Sequence, residues 1–558
     1  MKTSRQQLPL SPLSLAVLFA VTSALAGGCE LQTDSSKEGG AYWDANTTSD
    51  VSGGDFGYDV EGPELAYRFL APKASRDYVF VPNETLDTVS KIDADTLAIT
   101  SVPVCDRPTR LEAVEQLNMA VVLCQNSDEL GVIHADDVND RGETVDTTVF
   151  MDIDQRMNTL TLAPDARYAF AYFTYSGLED GDPTGSLQTL SMVRTAQNNE
   201  AFFSLSVGFQ IRSITYRTAK DFNGLLQVTH AYVVTDTGIS VLELASIDGD
   251  QVLPVIPVSP HHLDDPLDRE VQVTPSGEYA VVRDMGVAEF YIVRLSDGEI
   301  TTVPIDAPAT DVDLFPSDGS PTADEDRALL VVREANEVLD VSVEAVFAEP
   351  SLLTPVNAGG TVKGLASIGP DGRYAVLYTT LGGLDELTIV DTADTTVPAR
   401  ILPLRKSIVG AAISADGGFA IVLHPSESAE GLDGPAAIVA QSPGYSIVDL
   451  ESGFTRLVLS DAPVEDLTFW TGDEGTAHAY LSFNDEVRKL WAVDRITLDT
   501  FAVSPLQLGS PPSDLGRVTG RGRVWVNQEH PVGRMTFIDV ASGEPKTVTG
   551  FELNSFVR

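Results

Sequence analysis

From about residue 63 onward, short runs of apolar residues alternate with clusters of Gly, Pro, Asp and Ser. Val, Ile and Thr are frequent, and no apolar period near 3.6 is sustained. This patterning predicts short strands joined by tight turns, an all-β chain. One phrase recurs at those turns. It reads Pro164-Asp165-Ala166-Arg167-Tyr168-Ala169, then Pro275-Ser276-Gly277-Glu278-Tyr279-Ala280, then Pro370-Asp371-Gly372-Arg373-Tyr374-Ala375, then Ala415-Asp416-Gly417-Gly418-Phe419-Ala420. Each copy closes one apolar strand and opens the next, and such recurrence marks a repeat architecture.

Ten comparable strands begin near Tyr78, Met119, Tyr168, Ala231, Tyr279, Ala328, Tyr374, Phe419, Ala479 and Arg523. Their spacing of about 41 to 63 residues suits four-stranded propeller blades of roughly 40–50 residues. A second phrase follows within the units: Val89-Ser90-Lys91-Ile92-Asp93, Leu387-Thr388-Ile389-Val390-Asp391, Ile447-Val448-Asp449-Leu450-Glu451-Ser452-Gly453 and Phe537-Ile538-Asp539-Val540-Ala541-Ser542-Gly543. The Asp is placed to accept from amides of the next turn, and the Gly to take positive φ. A four-stranded unit cannot bury both faces alone, whereas radial stacking covers them.

These units resemble the blades of bacterial propellers of the YVTN, TolB-like and lactonase-like kind, over roughly residues 66 to 558. The resemblance implies an all-β fold, a β-propeller of four-stranded WD-like repeats filling residues 63–558. Ten units exceed the usual four to eight blades. One large ring, two rings or incomplete units are the choices, with one continuous body expected. Insertions at 176–183 and 425–432 should project from one rim.

The first 28 residues differ. Lys2 and Arg5 precede an apolar run from Leu13 to Val21, then Ala24-Leu25-Ala26-Gly27-Gly28. This is the layout of a secretory signal peptide, and the run is shorter than the roughly 20 residues of a lasting membrane span. Leu25-Ala26-Gly27-Gly28-Cys29 resembles the bacterial lipobox, although Ala26 stands where Leu is usual. The resemblance implies that Cys29 is acylated, and several acyl chains suffice for stable anchoring. Glu30, where inner-membrane retention uses Asp, points to the outer membrane. Residues 29–62, rich in Gly, Ser, Asp and Thr, are expected to form a disordered tether.

Export changes the reading of Cys105 and Cys124. In an oxidising compartment they form a candidate disulfide. The alternative is two buried thiols, Cys124 ending the apolar run Val121-Val122-Leu123. The formal charge of the whole chain is −46, and the signal stretch carries no acid. Such a field repels nucleic acid and anionic membrane surfaces.

Candidate chemistry is sparse. The seven histidines are His134, His230, His261, His262, His424, His478 and His530. No Gly-x-Ser-x-Gly elbow precedes a helix. His261-His262-Leu263-Asp264-Asp265 has metal-ligand residue types without ligand spacing, and no calcium loop of the Asp-x-Asx-x-Asx-Gly type is present. Asp180-Gly181-Asp182 is a further acidic loop. No haem-attachment motif occurs. Arg517, Arg521 and Arg523, near Trp525, are expected to pair with acidic neighbours.

The sequence therefore points to a lipid-anchored envelope propeller that binds or scaffolds a protein, peptide or glycan partner. It assigns no catalytic residue, cofactor or metal, and no enzyme activity. The alternative is a lactonase-like hydrolase with a divalent metal in the central channel. Converging carboxylate, Asn or His side chains in the channel would favour the enzyme; an apolar array on one rim would favour docking.

Overall fold

A computed structural model of the chain describes residues 67–552, except 139–143, 177–183, 198, 221–225, 262–268, 317–325 and 472–476. The signal stretch, Cys29, the tether, Asp180-Gly181-Asp182 and residues His262 to Asp265 lie outside the described residues.

Ten sheets follow one another along the chain, at 73–103, 108–152, 159–206, 211–243, 269–304, 311–355, 365–403, 410–459, 464–507 and 512–549. They are the ten blades of a propeller. Eight are plain four-stranded antiparallel meanders. The fourth has three strands, because the chain leaves after Gly238–Glu243 and lays Gln251–Val252 parallel to Ala201–Ser206 of the third blade. Ile256 then bridges back to Ile239 in place of a full outer strand. The expected strand starts fall close to the observed second strands; the largest difference is in the fourth blade, whose second strand is Leu226–Thr235.

The blades form because both faces of their middle strands are apolar. In Tyr279–Asp284, Tyr279 and Val281 pack toward the sixth blade, with Val312, Leu330 and Val341. Ala280 and Val282 pack toward the fourth, with Tyr232, Val234 and Ile239. Strand period two thus sends alternate residues into two different layers. Each fully buried Val or Phe contributes roughly 1.5–3 kcal/mol. The closing layer joins Val79, Val81 and Ile92 of the first blade to Trp525, Met535 and Phe537 of the tenth.

Both recurring phrases have defined work. The third residue of the first phrase takes left-handed φ: 57° at Ala166, 70° at Gly277, 69° at Gly372 and 68° at Gly417. At Gly417 a Cβ would stand 2.2 Å from Asp371 Oδ2 of the preceding blade, so a larger residue would both strain this backbone and displace that carboxylate. Ala166 holds the same conformation at some cost. Asp165 Oδ2 accepts from Val228 N of the next blade at 2.7 Å, and Asp326 Oδ1 accepts from Ser276 N at 3.1 Å. The phrase therefore clips blades together as well as turning the chain. In the second phrase, Asp93 Oδ1 accepts from Asp95 N and Thr96 N, and Asp449 Oδ1 from Glu451 N and Ser452 N.

Candidate functional site

Antiparallel meanders put the first-to-second and third-to-fourth strand turns on one rim. The second-to-third turns and the crossings between blades lie on the other. Both turn phrases sit on the first rim. The 425–432 insertion lies on the second rim. Its exposed apolar side chains include Tyr175, Phe209, Met285, Val287, Leu381, Val409, Leu432, Ile438 and Val487. Among the described residues the phrase rim exposes Leu117, Leu352, Val397 and Phe454.

The insertion of the eighth blade builds a platform on this apolar rim. Gly434 (φ 60°) turns the chain, Pro435 opens a helix at its first position, and Pro435–Gln441 follows. Ala436, Ala437 and Ala440 favour helix, and Pro443 lies just beyond its end. Residues 434–443 carry no charged side chain, although the chain is 21% charged. A helix without a polar face is ordinarily buried, yet Ile438 is 60% exposed.

This helix is fixed from below by a buried cation. Lys406 is 1% exposed, and its Nζ donates to Val439 O at 2.7 Å and Ala440 O at 3.2 Å. A cation at a helix C-terminus meets the orphan carbonyls and the negative end of the dipole. Glu427 N also donates to Ala440 O, at 2.7 Å. Burial pulls the Lys406 ammonium below its ordinary pKa, opposed by the Glu427 carboxylate at 3.8 Å. Ser407 Oγ donates to Glu427 and accepts from Gly383 N. His424 lies beneath, Nδ1 2.9 Å from Ser407 O and Nε2 2.8 Å from Ser446 Oγ. Burial pushes its imidazole down to about 4, so it is neutral there. Beside the helix is a groove of about 360 Å³, lined by Leu432, Pro435, Ala436, Val439 and Ala440 together with Arg405 and Glu427.

The innermost strands carry carboxylates that stitch blades together. Asp311 Oδ2 accepts from Ala366 N at 2.7 Å, and Asp466 Oδ2 from Leu515 N at 2.8 Å, each on the next blade. Gln272 Nε2 donates to Val312 O at 2.6 Å. Arg283 pairs with Glu270 at 2.5 Å and donates to Ala309 O at 3.0 Å. Burial pushes the Asp311 carboxyl up to about 6. Asp313 is driven well above its ordinary value by burial, then by the Asp311 and Glu270 charges; its Oδ2 has no hydrogen-bond partner. Among the described residues, no three His, Cys, Asp or Glu side chains are grouped so as to hold a metal ion.

The residues singled out from sequence do not gather at one place. Cys105 and Cys124 are joined as a disulfide with Cα atoms 5.7 Å apart, at the layer between the first two blades. His261 N donates to Ser259 Oγ at 3.0 Å, and its Nε2 is 3.9 Å from Glu289. His134 lies 3.6 Å from Glu200, and His478 is buried in the ninth blade. Arg517 pairs with Glu115 at 2.6 Å, Arg521 with Asp77 at 3.1 Å, and Arg523 with Asp95 and Asp539. Sequence reasoning passed over Arg405, Lys406 and the helix. The available signal was Gly434-Pro435 opening an uncharged stretch in an acidic chain.

No family model matches the chain, and no curated protein matches it. Solved structures do. Dihydro-heme d1 dehydrogenase NirN, in complex with DHE, is 11% identical, covering 85% of this chain and 73% of its own, with a TM-score of 0.37. A eukaryotic initiation factor is 9% identical over 83% and 94%, TM-score 0.45. Apo AztD from Citrobacter koseri is 13% identical over 70% and 94%, TM-score 0.35. Likenesses of this degree carry nothing about function. Among the described residues no helix is long and apolar enough to cross a membrane.

Proposed function

We propose that this protein is a lipid-anchored binding module of the bacterial envelope, exported and held through Cys29, which docks a partner protein on its apolar rim. The observation that carries this reading is the uncharged helix Pro435–Gln441, exposed on the rim and pinned by the buried Lys406. A buried ammonium is costly unless well bonded. Here its bonds hold an apolar surface in place toward solvent, a combination that suits a prebuilt docking site. The lipobox-like Leu25-to-Cys29 stretch supports the anchor, and the acidic surface supports solubility beside it.

The test compares rims. Tagged wild-type protein, Ile438→Asp and Phe454→Asp are purified from solubilised envelopes, and co-purifying proteins are quantified. A discrete partner should be lost with Ile438→Asp and retained with Phe454→Asp, which alters the phrase rim. Equal recovery with all three would remove the docking role of the helix.

A further inference from the structure

We propose that the groove beside the rim helix receives a peptide carboxyl terminus, with Arg405 binding the carboxylate and the apolar floor taking the final side chains. This deepens the docking reading above and rests on it.

The repeat supplies an internal comparison. In three places, the Asp just before a blade's third strand accepts the backbone N–H of an arginine at the crossing to the next blade. The pairs are Asp87 with Arg107 at 2.8 Å, Asp128 with Arg156 at 2.7 Å, and Asp385 with Arg405 at 3.1 Å. All three arginines hold left-handed backbone, φ 59°, 63° and 68°. The strained backbone thus belongs to the repeat, and the side chains are what differ. Arg107 Nε donates to Glu84 at 2.8 Å, and Arg156 Nη1 donates to Thr184 O at 3.0 Å. Among the described residues, the exposed Arg405 guanidinium has no such partner; it borders the groove instead.

An unpaired arginine is conspicuous where 82 acidic residues outnumber 36 basic ones. Glu427, at the same groove, is engaged by Ser407 and Lys406. The planar guanidinium suits bidentate carboxylate binding. The groove's 360 Å³ lies at the small end of ligand sites, enough for a few apolar groups rather than a long chain. A protein's last residues present both chemistries in one unit, and capture of a terminal carboxylate is a recurring recognition mode.

The probe is a random hexapeptide library displayed with free carboxyl termini on the full-length protein. The enriched sequence is then synthesised as acid and as amide, and binding is read by fluorescence anisotropy. The acid should bind at least about tenfold more tightly than the amide, the scale of a charge-assisted pair. Arg405→Gln should make the two equal. Glutamine tolerates such backbone, since Gln210 at another crossing has φ 54°. Decanoate should not displace the peptide. No enrichment, equal acid and amide binding, a ratio surviving Arg405→Gln, or displacement by decanoate would each overturn the proposal. If it falls while Ile438→Asp still removes the envelope partner, docking stands without a terminal carboxylate. If Ile438→Asp changes nothing, the docking reading itself falls.

Discussion

Glu552 accepts a hydrogen bond from Thr88 at 2.6 Å, across 464 residues of sequence. Asn83, Ser90 and Ser101 of the first blade also donate to this carboxylate, at 3.1, 3.3 and 3.2 Å. Among the described residues no strand is shared across the closing seam: the first blade is built from the N-terminal strands and the tenth from the C-terminal ones. The seam is held by its apolar layer, by this latch, by the Arg521–Asp77 and Arg523–Asp95 pairs and by Gly520 N donating to Arg76 O at 2.8 Å. Glu552→Ala leaves the buried donors of Asn83 and Ser90 without this acceptor, at about 1–3 kcal/mol each. Hydrogen exchange should accelerate in Tyr78–Asn83 and Arg534–Asp539 and stay unchanged in the fifth blade. Equal acceleration around the ring would contradict the latch.

Lys406 should govern the helix more than the ring. Lys406→Met keeps most of the buried stem and removes the donors to Val439 O and Ala440 O. Amide exchange in residues 435–441 should rise on the order of tenfold as the platform opens locally, with little change in the melting temperature of the ring. Unaltered exchange there would mean the lysine does not hold the helix.

The buried pair Asp311 and Asp313 sets a pH dependence. Burial raises Asp311 to about 6, and burial together with the Asp311 and Glu270 charges drives Asp313 well above its ordinary value. A carboxyl whose folded pKa exceeds its unfolded value favours the fold when protonated. Its contribution is complete below the unfolded value near 4 and lost as pH rises through the folded value. Asp313→Asn should therefore raise the melting temperature at about pH 8 and leave it nearly unchanged at about pH 4. An equal gain at both would show that charge is not the cause.

The Cys105–Cys124 bond closes a short loop, with a sequence separation of 19. Replacing both with serine should lower stability by about 3 kcal/mol in the chain-entropy picture. Denaturant unfolding under oxidising and reducing conditions checks this. The wild type should lose a similar amount on reduction, and the variant nothing.

The architecture was legible because its signals are local. Asp165, Asp371 and Asp416 mark the first turn, Asp93, Asp449 and Asp539 the second, and strand alternation writes the layers directly into the chain. Comparable strand starts mark ten units but leave one ring, two rings or incomplete units open; the single ring is set by the closing layer that holds Val81 and Phe537. The fourth blade was less clear: its long second strand starts well before Ala231, and its outer strand is given up to the third. The platform was hidden for a different reason. Lys406, Glu427 and Val439 are brought together by a loop folding back, and no periodicity encodes that. Arg405 became distinctive only beside Arg107 and Arg156, once all three were known to share one backbone position.

The most direct measurement places a photo-crosslinking amino acid at position 438 in one strain and at position 454 in another, in intact cells. The expected result is a discrete crosslinked protein from 438 on the apolar rim and none from 454 on the phrase rim. The same adducts from both positions, or none from 438, would contradict docking through the rim helix.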